Sequence, residues 1–287
     1  MQSQDVLRLY EEGYRDFSGL CLAGANFEGR ILVGVNLAGS DLTGANLSRA
    51  FLTKADFTGS NLNRADLTFA KLSDSCFAQA TLNKANLRGA FGVRANFTKA
   101  SISGAQLAYI NLRSAQLVEA NFSGANLTGA NLRNADLTQA RFDWANMSGV
   151  RLVGGAIAQA SFSGVNFNRA LLNGLNFREV ELSGASFQAA RAKGANFALA
   201  DLTAANFSEA SLQNSNFHEA RLAGANFDQA HLHRVNFTQA DLRRVDSKNV
   251  DWSDANLTGT CLRLDELTMA RLVDGAIEMF AAVAVNQ

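Results

Sequence analysis

Large apolar side chains recur at every fifth position of this chain, as in TGANLSRAFLTKADFTGSNLNRADLT, residues 43–68. The series keeps its phase from Phe17 to Leu262, which gives 50 consecutive centres. Only Gly92, Ala192 and Ser247 lack a large apolar side chain at the centre. A period of five fits neither an α-helix, with a period near 3.6, nor a β-strand, with a period of 2. A repeated unit of another kind is therefore predicted.

The positions around each centre are also regular. The residue two before it is usually Ala, the residue one before it is usually Asn or Asp, and the residue two after it is Gly at 19 of the 50 positions. Gly supplies the positive φ that the third residue of a type II turn requires. A turn every five residues, with one large and one small inward side chain, closes a coil of four sides and 20 residues. About twelve such coils, stacked at about 4.8 Å, would form a rod about 60 Å long.

The pattern A-(D/N)-(L/F)-(S/T)-x resembles the signature of the pentapeptide-repeat family, and the resemblance covers residues 15–264. It implies an all-β solenoid, namely a right-handed quadrilateral parallel β-helix. Many members of the family occur in cyanobacteria, so a cyanobacterial source is expected from the resemblance.

The ends of the chain depart from the repeat, and an open coil needs covering at both ends. Residues 1–14 are predicted to form a capping helix, with Leu7, Tyr10 and Tyr14 on its packing side. Residues 15–264 form the repeat region. Residues 265–287 are predicted to be a helical segment that either caps the last coil or forms a homodimer, as this end does in related family members.

The amino-acid composition limits which classes of function are expected. Lys plus Arg and Asp plus Glu both number 26, so no overall charge favours nucleic acid as the partner. The three Cys residues do not form a disulfide framework, which is typical of a protein of the reducing cytoplasm. No apolar run approaches the roughly 18 residues of a membrane span. A cytoplasmic protein without a membrane span is expected.

Catalytic and cofactor motifs are not found in the sequence, and a convex solenoid has no cleft to hold a perturbed acid or base. We therefore expect no enzyme activity and no cofactor. His231 and His233 flank one centre, and Asp251 follows one coil later, so the three could bind a metal. Outward positions of a solenoid are simply polar, which is the better explanation of these residues, and a metal is not predicted.

Asn residues precede many centres and create N-x-S/T sequences, for example at Asn46 and Asn126. The repeat itself produces these sequences, so they do not indicate glycosylation. We expect these Asn side chains to hydrogen-bond the backbone of the neighbouring coil.

One side of the predicted coil departs from the repeat pattern. With the sides numbered from the centre Phe17, this fourth side has Leu32 and every twentieth residue after it as centres. Its outward positions are apolar toward the N-terminal half and basic in the middle, a composition typical of protein-binding surfaces. The candidate partner-binding residues are Ile31, Phe51, Lys71, Phe91, Arg113, Arg133, Arg151, Leu171 and Arg191. Free variation of outward positions is the alternative, and Phe91 could instead turn inward to fill the core at Gly92.

The predicted function is a non-catalytic scaffold or regulator that presents this surface to an unidentified protein partner. The family resemblance implies an alternative, a DNA-mimicking protein that binds DNA gyrase as an inhibitor or a protector. A mimic needs a negative stripe, because duplex DNA carries one charge per roughly 1.7 Å. This chain has a formal net charge of zero, and no acid lies between Asp74 and Glu119. Gyrase binding is therefore the second hypothesis.

Overall fold

A computed structural model describes residues 2–261 of the chain. The described residues belong to two compact units, Met1–Ile157 and Ala158–Gln287, called unit 1 and unit 2 below. The predicted cap or dimerisation segment, residues 265–287, lies outside the described residues.

Within residues 2–261 there is one α-helix, α1, which begins at Ser3 and ends at Glu11. Val6 is its buried residue, whereas the predicted packing residue Tyr14 is exposed. The Tyr10 hydroxyl donates a hydrogen bond of 2.9 Å to the carbonyl oxygen of Val33. The helix thus contacts the repeat region through Val6 and Tyr10, and Tyr14 was wrongly placed on the packing side because it follows the end of the helix.

The repeat region is built from isolated parallel bridges rather than from long strands. Each bridge pairs a residue with the residue 20 positions later, from Asp16↔Asn36 to Asp136↔Ala156 in unit 1 and from Ser161↔Glu181 to Asp241↔Cys261 in unit 2. An offset of 20 residues means that four five-residue sides complete one coil. The four-sided parallel β-helix predicted from the period agrees with this register.

Each corner of the coil uses a residue with positive φ. All 49 corner residues, at every fifth position from 19 to 259, have positive φ; 19 are Gly and 30 are other residues. The N–H of Ala25, one residue after such a corner, donates to the carbonyl oxygen of Leu22 at 3.0 Å, which closes the turn. A non-glycine residue in this conformation costs about 1–2 kcal/mol. The regular backbone bonds between coils evidently offset that cost at 30 corners.

The interior is filled by the centres and by the small residues two positions before them, nearly all of which are fully buried. In unit 2 two columns of Phe rings stand side by side. Rings within a column stack at 4.7–5.3 Å between centroids, and the columns meet edge to face at 5.5–6.2 Å. The predicted vertical neighbours Phe177 and Phe197 are 4.8 Å apart.

Asn side chains before the centres bond differently from the prediction. Asn36 Oδ1 accepts a hydrogen bond from the N–H of Ala38 in its own coil, and Asn216 Nδ2 donates to Asn196 Oδ1 in the coil before. The prediction of bonds to the neighbouring backbone was wrong here, because the N–H two residues on in the same turn is within reach. Asn residues after the centre do make that bond, as Asn63 Oδ1 does with the N–H of Asn83.

Candidate protein-binding face

The outward row before the centres of the fourth side is apolar at the N-terminal end. Consecutive bridges join Ile31, Phe51, Lys71 and Phe91, so one residue of the row is added per coil. Ile31 and Phe51 are exposed, and Phe91 is 42% exposed. Phe91 does not fill the core at its neighbouring centre. A Cβ added there would lie 3.1 Å from Leu112 Cδ2, so Leu112 already occupies that space.

The predicted basic residues of unit 1 belong to two different rows. Arg151 continues the row of Phe91, but Arg113 and Arg133 follow their centres and lie in the next outward row. Asn111 and Asn131 take the intervening places of the first row, where Asn131 Nδ2 donates to Asn111 Oδ1 at 3.2 Å. All three Arg side chains are exposed. The outward row before the centres is therefore mainly apolar from Ile31 to Phe91, with Lys71 among its residues, and is polar to basic beyond Phe91.

The last two predicted residues, Leu171 and Arg191, lie in unit 2. A parallel bridge pairs them; Leu171 is half-buried and Arg191 is exposed. Their assignment to the binding face stays a prediction.

Two exposed aromatic residues that the sequence reasoning missed stand at the corner beside the apolar row. Phe69 and Tyr109 are 53% and 61% exposed and occupy corner positions with φ of 57° and 61°. Each ring lies on the corner glycine of the next coil. A Cβ added to Gly89 would be 2.5 Å from Phe69 Cε1, and one added to Gly129 would be 2.8 Å from Tyr109 Cδ1. The signal in the sequence was an aromatic residue at a position where glycine is most frequent.

These rings extend the apolar row into a larger surface, here called the aromatic patch. The aromatic patch consists of Ile31, Phe51, Phe69, Phe91 and Tyr109, with Lys71 among them. Phe69 is two residues before Lys71, and the glycine under its ring is two residues before Phe91. The ammonium Nζ of Lys71 lies 5.8 Å from the centroid of the Phe91 ring, within the range of a cation–π contact.

One acid lies within this part of the fourth side. Asp74 accepts two hydrogen bonds of 2.7 Å from the Arg94 guanidinium. These hydrogen bonds, together with the positive charges of Arg94 and Lys54, lower the pKa of Asp74, and the same pair raises the pKa of Arg94. Asp74 therefore stays ionised and neutralises Arg94. Lys54 and Lys71 keep the surroundings of the patch positive.

His231 and Asp251, two of the candidate metal ligands, are paired by a parallel bridge in neighbouring coils. His233 Nδ1 lies 3.2 Å from Asp254 Oδ2, a residue that the prediction did not include. His231, His233 and Asp251 line a polar hollow of about 510 Å³. Within residues 2–261, no group of three or more His, Cys, Asp or Glu side chains is arranged to hold a metal ion. In the same range, no helix has the length and hydropathy needed to cross a bilayer.

Two protein-family models match the chain. The model described as pentapeptide repeats matches residues 21–59, 40–77, 60–91, 75–113 and 115–154. The model described as a pentapeptide repeat region matches residues 160–228 and 195–272. No curated protein matches the chain.

Several solved structures are also similar. HetL from the cyanobacterium Nostoc, a pentapeptide repeat protein involved in heterocyst differentiation regulation, is 28% identical; the match covers 96% of this chain and 98% of HetL, with a TM-score of 0.23. QnrB1, a plasmid-mediated fluoroquinolone resistance protein, is 14% identical over 93% of this chain and 99% of its own, with a TM-score of 0.44. Rfr23 from the cyanobacterium Cyanothece, a pentapeptide repeat protein, is 25% identical over 56% of this chain and 99% of its own, with a TM-score of 0.22.

Proposed function

The chain belongs to the pentapeptide-repeat family, since the two family models together match most of its length, and on this premise we propose that it is a non-catalytic interaction protein. It presents the fourth side of its coils to a protein partner. The proposal covers the residues predicted from the sequence and adds Phe69 and Tyr109, which complete the aromatic patch of unit 1.

The alignment of exposed apolar side chains over consecutive coils carries the proposal. Six of the nine large hydrophobic residues that are exposed in the described chain belong to the patch or to its coils: Ile31, Val33, Phe51, Phe69, Phe91 and Tyr109. Single exposed apolar residues need no explanation, but a contiguous group marks an interaction site. The surrounding Arg and Lys residues fit such a site, because Arg and aromatic residues dominate binding energy at protein interfaces.

The alternative of a gyrase-binding DNA mimic fits this surface less well. A mimic presents negative charge, whereas the fourth side of unit 1 carries the acid Asp74 paired with Arg94 and otherwise basic residues. In a supercoiling assay with purified gyrase we expect neither inhibition nor protection from a fluoroquinolone. Either effect at stoichiometric protein would favour gyrase binding over the present proposal.

The same proposal includes the predicted organisation of the ends and a cytoplasmic location. Burial of Val6 and the hydrogen bond from Tyr10 to Val33 support α1 as a cap within residues 1–14. Residues 265–287 are proposed to cap the last coil or to form a homodimer. Truncation after residue 264, followed by light scattering, separates these roles: a lost cap lowers stability at constant mass, whereas a lost dimer contact halves the mass.

Affinity purification from the native cell tests the face assignment. Phe51, Arg113 and Arg151 are replaced together by Ala in the full chain. Because all three side chains are exposed, the variant should fold with an unchanged melting temperature. We expect the partner recovered with the unaltered chain to be lost.

A matched control uses three exposed residues of unit 1 that lie on another corner, Arg64, Lys84 and Trp144. This set also contains one aromatic and two basic side chains. Its replacement by Ala should leave partner recovery unchanged. Equal recovery by the two triple variants would show that the fourth side is not the binding face.

A further inference from the structure

We propose that the aromatic patch binds an acidic amphipathic α-helix of a protein partner, laid along the stacking direction of the coils. The inference rests on the proposed function and specifies the form and charge of the partner. It follows from three properties of the patch: an outward row whose own backbone N–H and C=O groups are already paired, a spacing close to one helical turn, and an excess of basic residues.

The residues of the outward row already use their own backbone N–H and C=O groups within the stack. The N–H of Phe51 donates to Arg30 O at 2.8 Å, and Phe51 O accepts from the N–H of Leu32 at 2.8 Å. Lys71 and Phe91 repeat this arrangement, each with the coil before its own. A partner strand would leave its own N–H and C=O groups unpaired on contact, which is costly. A helix satisfies its backbone internally and can bind through side chains alone.

The dimensions of the patch match a helix lying parallel to the stack. Phe rings of neighbouring coils in unit 1 are 4.7–4.9 Å apart, which gives the rise per coil. The patch extends over four coil steps, from Ile31 to the coil of Tyr109, or about 19 Å at the usual strand spacing. About 13 residues of α-helix span this length, with a pitch of about 5.4 Å. One apolar side chain per helical turn can therefore meet one outward side chain per coil.

The charge around the patch indicates that the partner carries negative charge. The fourth-side segments 30–34, 50–54, 70–74, 90–94 and 110–114 contain five basic residues and one acid. The basic residues are Arg30, Lys54, Lys71, Arg94 and Arg113. The acid, Asp74, is held by Arg94 at 2.7 Å. A helix whose apolar stripe is flanked by Asp and Glu complements this surface, whereas a second copy of the same face would place like charges opposite one another.

The test is a selection against the full chain with two displayed peptide libraries. One library presents 16-residue α-helices with randomised outward positions, and the other presents disulfide-closed loops of the same length. We expect the enriched peptides to come from the helix library, with apolar residues at i, i+3 or i+4, and i+7, and with Asp and Glu on both flanks. Enrichment of basic helices, of loops alone, or of no peptide would overturn the inference.

The binding site of the best helical peptide is then mapped by fluorescence anisotropy. Phe69→Ala combined with Phe91→Ala should weaken the peptide at least tenfold, and raising the salt concentration should weaken it further. The control Trp144→Ala removes another exposed aromatic residue at a positive-φ corner and should change the affinity less than twofold. An unchanged affinity in the double variant, or displacement of the peptide by a 16-nucleotide DNA strand at lower concentration than by unlabelled peptide, contradicts the proposal.

Failure of this inference is distinguishable from failure of the proposed function. If partner recovery depends on Phe51, Arg113 and Arg151 but no acidic helix is selected, the fourth side binds a partner of another form. If recovery is independent of these residues, the proposed function fails first.

Discussion

The contact of the Tyr109 ring with Gly129 allows a direct test of the corner geometry. Gly124 and Gly129 are corners of the same unit with nearly equal φ, +65° and +66°. A Cβ at Gly124 would meet nothing within 4 Å, whereas a Cβ at Gly129 would lie 2.8 Å from two atoms of the Tyr109 ring. Replacing either glycine by Ala imposes the same backbone strain. Only Gly129→Ala also displaces an aromatic ring.

The magnitude follows from the two contributions. Ala in the left-handed region costs about 1–2 kcal/mol, and the loss of unfolded-state freedom offsets about 0.4–1 kcal/mol of it; both apply to each variant. Tyr109 is 61% exposed, so a minority of its surface rests on the coil. For a side chain that buries about 200 Å² in full, roughly 80 Å² is covered, worth about 2 kcal/mol if the ring lifts completely. Gly129→Ala should therefore be about 1–2 kcal/mol less stable than Gly124→Ala.

Urea denaturation of the two variants, followed by far-ultraviolet circular dichroism, measures this difference in unfolding free energy. The same pair is compared in a Tyr109→Ala background, where the ring is absent and the difference should vanish. A double-mutant cycle of this kind isolates the contact from the backbone strain. Equal stability of the two glycine variants, or a difference that persists without Tyr109, would refute the seating of the ring.

Further predictions concern the core, the ion pair and the two Trp residues. Phe197→Ala should lower the unfolding free energy by about 3–5 kcal/mol in urea titrations, because the ring stacks on both vertical neighbours; a loss below 1 kcal/mol would contradict the stacking. The pKa of Asp74, followed by carboxyl ¹³C NMR, should lie below the usual Asp value and rise in Arg94→Gln. Because that pKa is lowered in the fold, the pair stabilises the protein above the usual carboxyl pKa, and the contribution is lost as the pH falls through the lowered value. Acrylamide should quench Trp144, which is 76% exposed, far more than Trp252, which is 4% exposed, as single-Trp variants will show.

Most of the fold could be predicted from the five-residue period of the sequence. Closure of a four-sided coil requires a turn after every fifth residue, and the glycine at many corner positions identified those turns. Like centres 20 residues apart predicted vertical stacking, and Phe177 and Phe197 confirm it. For helix α1 the predicted packing residue Tyr10 does contact the repeat region, but Tyr14 is exposed and the buried Val6 was not predicted. The 3.6-residue period of α1 covers only two and a half turns, which is too short to fix which face is buried.

The candidate site was predicted only in part, because outward positions have no periodic constraint. The apolar row from Ile31 to Phe91 could be recognised, since apolar residues replace the usual Asn or Asp. Phe69 could not be recognised in the same way. Its contribution depends on which way a corner side chain turns, and the sequence pattern of one coil does not specify that direction. The bonding of Asn36 to its own turn was missed for a similar reason, since two backbone N–H groups were within reach.

The aromatic side chains at two corners of the patch coils are more than free variation of outward positions. The fold needs a positive φ at each corner and is satisfied most cheaply by glycine, so an aromatic residue there adds strain and gains little core burial. Yet Phe69 and Tyr109 stand two coils apart in one corner column, and each is followed one coil later by a glycine whose Cβ would collide with the ring. The ring of Phe69 rests on the corner before Phe91, and the ring of Tyr109 rests two coils further on, on the corner before Asn131. Contact with the coil offsets part of the corner strain but leaves more than half of each side chain exposed, and a helix packing against these corners would bury that remaining apolar surface.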